Sequence, residues 1–233
     1  MNDETAAAPR TQAPRHPVIL LHGIARTSRS MARLARALHT AGFAPVAIDY
    51  PSRQQPIAAL AEILHPAIAA IARDAEELHF VGHSMGGLVA RAYIAAHRPE
   101  RLGRVVTIGT PHGGSEVADF LQRCPLYRRF YGPAGLEMTT AQAHDTPLPY
   151  PDYAIGCISG NRFLDPIAGL FIVERPNDGR VSTQSATPAG ASDHVTVAAS
   201  HSGLLLNKTA FAHTISFLTS GRFEAQTPTG SQS

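Results

Sequence analysis

The chain has 233 residues, 44% of them hydrophobic and 16% charged, a globular balance with enough length for one substantial core. A net charge of +2 from scattered basic residues offers no footprint for a nucleic-acid partner, and the adjacent pair Arg128-Arg129 reads as a solvated face. Apolar runs such as residues 18–21 and 105–108 fall far short of the roughly 20 residues of a transmembrane segment, so a soluble protein is expected.

The run over residues 17–21 is continuously apolar and stops at His22-Gly23, which suits a strand buried on both faces. Met31, Leu34, Ala35 and Leu38 then repeat at helical spacing over residues 30–41. Thr27, Ser28 or Ser30 is placed to cap this helix and Gly42 to end it. Residues 43–49 read as the next strand. Ile57, Leu60, Leu64, Ile68 and Ile71 trace one face of a second helix, which Pro66 should kink or split. Short strands are expected over residues 78–81 and 105–108, flanking a mostly buried helix over 88–97. This alternation predicts an α/β fold with a parallel sheet, helices on both faces, and ligands bound at the carboxyl ends of the strands.

Over residues 115–152 the rhythm breaks, and prolines with Tyr127, Phe130, Tyr131 and Tyr150 follow no clear alternation. We expect a lid-like excursion over the sheet's carboxyl edge. Strands are expected again over 153–158 and 195–198, and a last helix near 207–218 carries Phe211, Ile215 and Leu218 on one face. Residues 1–15 and 224–233 have the composition of flexible tails, which leaves a single domain over 16–223. The start of the chain lacks the charged head and apolar core of a signal peptide, so a cytoplasmic location is expected unless a leader has been removed. With two cysteines, Cys124 and Cys157, independent thiols are favoured over a bridge.

The strongest chemical signal is Gly82-His83-Ser84-Met85-Gly86-Gly87, directly after a strand and directly before a helix. A serine hydroxyl is a weak nucleophile until a base takes its proton, so it must stand exposed beside that base. A tight strand-to-helix turn of Gly-x-Ser-x-Gly type achieves this, and glycines at 82 and 86 let neighbouring backbone come close. The following helix directs its free N–H groups at the serine. His83 reads as a packing residue, because a residue adjacent to Ser84 on a sharp turn points away from it, and His22 reads as structural, holding its loop by hydrogen bonds. His and Cys do not fall at zinc-ligand spacings, and no dinucleotide fingerprint appears, so no metal and no cofactor are expected.

Taken with His22-Gly23-Ile24 and Thr110-Pro111-His112-Gly113-Gly114-Ser115, this motif resembles the bacterial lipase and esterase branch of the α/β-hydrolase family. The resemblance is well carried over residues 17–115 and thin elsewhere. It implies an α/β-hydrolase fold and an esterase or small lipase acting through an acyl-enzyme on Ser84. It also implies oxyanion-hole donors from the backbones of Ile24 and Met85, and a chain order of Ser, then acid, then His. Acid candidates are Asp145, Asp152, Asp165, Asp178 and Asp193. Asp178, in Asn177-Asp178-Gly179-Arg180-Val181-Ser182, matches the family's turn, with Asp165 as runner-up. Among His194, His201 and His213, His201 lies between the last strand and the last helix, where the family places the base. The implied partner is a small-molecule ester or lipid substrate. Two other readings share the sequence: a thioesterase or acyltransferase with the same triad, and a binding protein that kept the fold without the chemistry.

Overall fold

Pro17–Leu21 forms strand β1, and its unbroken apolar run is explained by cover on both faces: Ile19 and Leu21 join one core, Val18 and Leu20 the other. The computed structural model describes residues 16–163 and 172–224. The other strands are β2 (Ala44–Ile48), β3 (Leu78–His83), β4 (Leu102–Ile108), β5 (Ile155–Gly160) and β6 (Asp193–Val197). All pair in parallel, in the order β2-β1-β3-β4-β5-β6. The chain moves outward from β1 to β2 and then returns to build the sheet on the other side of β1. That reversal leaves a crevice between the carboxyl ends of β1 and β3, where ligands bind on such sheets.

Helices α2 (Ile57–Ala72) and α3 (Met85–His97) cover one face, with Leu60, Leu64, Ile68, Val89 and Tyr93 packed in its core. Helices α1 (Ala32–Thr40) and α7 (Lys208–Ser220) cover the other through Leu34, Leu38, Phe211 and Phe217. Asn207 caps α7, its side-chain oxygen accepting from Ala210 N–H at 3.0 Å. No helix among the described residues is long and apolar enough to cross a membrane.

Two local expectations are corrected. Helix α2 runs without a break through Pro66. Proline removes one backbone bond there, but Leu60, Leu64 and Ile68 on a single buried face hold the helix in register. The start of α1 has no side-chain cap of its own. A 3-10 turn over Ser28–Met31 precedes it, and Ser28 donates from N–H (2.6 Å) and Oγ (2.8 Å) to the carboxylate of Asp49 beyond β2. That partner is distant in sequence and invisible to local capping rules.

Residues 115–152 carry three short helices, α4 (Glu116–Leu121), α5 (Pro125–Leu136) and α6 (Thr140–Asp145). Helix α5 bends at Gly132, where φ is 61° and an added Cβ would meet the carbonyl oxygen of Arg53. Cys124 and Cys157 are both free, the first exposed at the start of α5 and the second buried in β5. Asp165, residues 170 and 171 of the late apolar run, and the tails over 1–15 and 225–233 lie outside the described residues.

Candidate active site

Strand β3 delivers the chain straight into Ser84, whose φ of 54° and ψ of −127° place it in a region L-residues rarely adopt. The turn is fixed by close backbone approach. A Cβ on Gly82 would strike the Gly86–Gly87 backbone, and one on Gly86 would strike the carbonyls of Leu21 and His22. Ser84 N–H donates to Ile108 O (2.8 Å), and Thr110 Oγ1 donates to Ser84 O (2.9 Å), so β4 and the loop after it brace the elbow. Gly87 completes the packing, because a Cβ there would overlap the Thr110 side chain. Thr110 opens the Thr110–Ser115 motif, but nothing in that motif announces its contact with the carbonyl of Ser84.

Ser84 Oγ lies 3.0 Å from His201 Nε2, and His201 Nδ1 lies 2.8 Å from Asp178 Oδ2; all three residues are buried. The second carboxylate oxygen of Asp178 accepts from the N–H groups of Arg180 (3.0 Å) and Val181 (2.9 Å). His201 N–H also donates to the Asp178 carbonyl at 2.9 Å, so the acid's own turn fixes the imidazole's backbone. That turn is closed by Asn177, whose Oδ1 accepts from Gly179 N–H at 2.9 Å. Gly160, at the end of β5, is required here, since a Cβ would meet Ala199 O and the Asp178 side chain.

The remaining candidates stand elsewhere. Asp145 is in α6 beside His144, and Asp152 pairs with Arg98. Asp193 opens β6 and accepts from Phe223 N–H, while His194 meets Ser159 Oγ at 3.0 Å. His213 lies within α7 against Phe223.

Burial pushes His83 well below the ordinary imidazole range, with the neighbouring His201 adding to the effect, so His83 is neutral. Its Nε2 donates to the His201 carbonyl at 3.1 Å. His22 is lowered chiefly by burial. Its Nδ1 donates to Gly23 O (2.9 Å), and its ring stacks on Tyr50, whose hydroxyl donates to His22 O. Both histidines therefore hold backbone around Ser84. Ile24 lines the cavity at Ser84, and Met85 is the first residue of α3, where the N–H has no acceptor in its own helix.

The cavity above Ser84 measures about 320 Å³. Val117, Leu121, Tyr127 and Met138 give it an apolar wall, and Arg26 and Arg180 stand at its polar side. Arg26 Nη2 donates to Ser202 Oγ (2.7 Å), next to His201, a contact between residues far apart in sequence that left no local signal.

A possible cation cluster, His16, Glu77 and His79, brings its ligand atoms within 4.8 Å of one another at the opposite end of the sheet. His79 Nδ1 accepts from Arg104 N–H at 2.9 Å. A neutral ring then carries its proton on Nε2, facing Glu77 at 3.4 Å, which suits an internal hydrogen bond rather than a metal.

A family model described as alpha/beta hydrolase fold matches residues 16–141. The triacylglycerol lipase of Burkholderia plantarii is 34% identical over 132 residues, covering 50% of this chain and 35% of the relative. That of Pseudomonas fragi is 32% identical over 186 residues, covering 77% of this chain and 60% of the relative. The chain thus spans between 35% and 60% of the length of these curated relatives. Among solved structures, the mature Bacillus licheniformis lipase BlEst2 superposes with a TM-score of 0.67 at 21% identity, over 87% of this chain and 90% of that one. The metagenomic carboxyl esterase MGS0156 gives a TM-score of 0.67 at 17% identity, over 85% of this chain and 68% of that one. At these identities the two structures speak to the fold.

Proposed function

The chain belongs to the α/β-hydrolase fold family, and from that premise we propose that it hydrolyses carboxylic esters through an acyl-enzyme on Ser84. The observation that carries this reading is the continuous chain of short contacts from Ser84 Oγ to His201 and from His201 to Asp178. Its relatives named triacylglycerol lipase add support. In this reading residues 16–223 act as one catalytic domain, with residues 115–152 as its cap.

His201 Nε2 takes the Ser84 proton as Oγ attacks the ester carbonyl, and Asp178 holds Nδ1–H and stabilises the imidazolium. The carbonyl π electrons move onto oxygen, and the Ile24 and Met85 N–H groups receive that charge, aided by the positive end of α3. Collapse of the tetrahedral adduct breaks the bond to the alcohol, which leaves with the proton from His201. Water then enters, gives its proton to His201 and attacks the acyl carbon; the bond from that carbon to Ser84 Oγ breaks, His201 returns the proton to Oγ, and the carboxylic acid leaves. The apolar wall of Val117, Leu121 and Met138 suits an acyl chain rather than a charged group.

The test is hydrolysis of p-nitrophenyl esters of graded chain length by the wild type and Ser84→Ala in parallel. Serine-dependent release supports the reading. No release at any chain length overturns it in favour of a different acyl donor or a binding role.

A further inference from the structure

Between Phe120 and Leu136 the chain contains Arg123, Arg128 and Arg129 and no acidic residue. All three arginines are exposed and, among the described residues, none has an ion-pair partner. The flanking carboxylates are turned inward: Asp119 accepts from Thr140 N–H (3.0 Å) and Oγ1 (2.7 Å), and Glu137 accepts from Ile57 N–H (2.7 Å). The same stretch exposes Phe120 (65%), Leu126 (77%) and Phe130 (51%). Large apolar side chains gathered on one segment mark an interaction surface rather than scattered exposure. Arg53 adds a fourth cation, its guanidinium 4.9 Å from the centre of the Phe130 ring.

This surface also has a defined place. Leu121, Tyr127, Phe130 and Tyr131 of this segment line the cavity above Ser84, so the exposed basic and apolar side chains between them stand beside that cavity. Apolar side chains that enter an acyl boundary, ringed by cations that meet headgroups, are the two components of binding to an anionic lipid surface.

We propose that the α4–α5 segment docks the protein on an anionic phospholipid surface, with Phe120 and Leu126 inserting among the acyl chains and Arg123, Arg128 and Arg129 contacting phosphates. The cavity mouth then faces the lipid. This deepens the ester-hydrolase reading and rests on it for its purpose, but docking itself requires no turnover.

The test is co-sedimentation of the full chain with phosphatidylglycerol or phosphatidylcholine vesicles, with Ser84→Ala protein in parallel. Binding should favour phosphatidylglycerol and weaken in about 0.5 M salt. At about fivefold per arginine, the combined Arg123→Ala, Arg128→Ala and Arg129→Ala variant should bind phosphatidylglycerol roughly 100-fold more weakly. Phe120→Ser with Leu126→Ser should lose binding to both vesicles. Circular dichroism and hydrolysis of a soluble short-chain ester should match wild type in both variants. Equal binding to the two lipids, binding to neither, or burial of this segment in a dimer on sedimentation velocity would overturn the proposal. If the wild type hydrolyses nothing yet still selects phosphatidylglycerol, the ester reading fails and the docking surface stands.

Discussion

Arg91 Nη1 lies 2.9 Å from Nδ1 of His112, and the guanidinium of this buried arginine holds both ends of the excursion over the sheet. His112 lies just before residue 115, where the excursion begins. Arg91 Nη2 donates to the carbonyls of Pro149 (2.8 Å) and Leu148 (3.4 Å), where it ends. His112 Nε2 passes the connection on to Thr107 Oγ1 (3.1 Å), which donates to Cys157 Sγ (3.3 Å), so the clamp is anchored in β4 and β5. Truncating Arg91 strands several acceptors at once.

Arg91→Ala should therefore destabilise the fold by about 3 kcal/mol, measured by urea unfolding, and make residues 115–150 the first site of limited proteolysis. Arg91→Lys, with a single donor head, should recover part of the stability and leave the proteolytic site open.

Ser84→Ala should abolish ester turnover and leave the melting temperature within a few degrees of wild type. Asp178→Asn should lower kcat by about 10⁴, because an amide cannot stabilise the imidazolium and favours the wrong tautomer. Its oxygen can still accept from Arg180 and Val181 N–H, so the loss belongs to kcat rather than to folding. Steady-state kinetics beside circular dichroism separate the two effects.

Gly86→Ala should cost more than about 3 kcal/mol, since the new methyl enters the carbonyls of Leu21 and His22 and neither strand nor helix can yield. Gly42→Ala has open space around it and only its positive φ of 91° to overcome, about 1 kcal/mol. Chemical denaturation of the pair distinguishes crowding from backbone strain.

Stability should fall on the acid side of neutrality. Burial lowers His22, His83 and His112, and takes His79 down to about 4. These rings are neutral in the folded chain, while in the unfolded chain they titrate near about 6.5. Below that value the unfolded state binds more protons, so the stabilisation is complete above it and is lost progressively as the pH falls from there to the folded-state values, about 4 for His79. Melting temperatures from about pH 8 to about pH 5 should drop monotonically; a flat profile would contradict the assignment of neutral buried imidazoles.

The sequence announces those features whose cause is local. The apolar run of β1 announces burial on both faces, and Gly82, Ser84 and Gly86 announce the turn, because each depends on neighbours a few positions away. What stayed hidden depends on partners distant in the chain. Asp49 anchors the start of α1, Thr110 braces Ser84, Arg26 reaches Ser202 and Arg91 clamps the excursion, and none of these pairs has a spacing that local rules detect. Pro66 shows the converse case: a strong local signal for a break is overridden by a buried face. Within residues 115–152, α4 and α6 have six residues each and α5 is bent at Gly132-Pro133, so none offers a long regular repeat for periodicity to announce.

The two cysteines differ in a way that equips the native chain for optical work. Cys157 is sealed in β5, where burial raises its thiol to about 11, beyond the reach of ordinary alkylating reagents. Cys124 is exposed at the head of α5, two residues from the exposed Leu126 of the proposed docking surface. A maleimide fluorophore added to the unaltered protein is therefore directed to one address, and its colour will report whether that surface sits in water or in lipid.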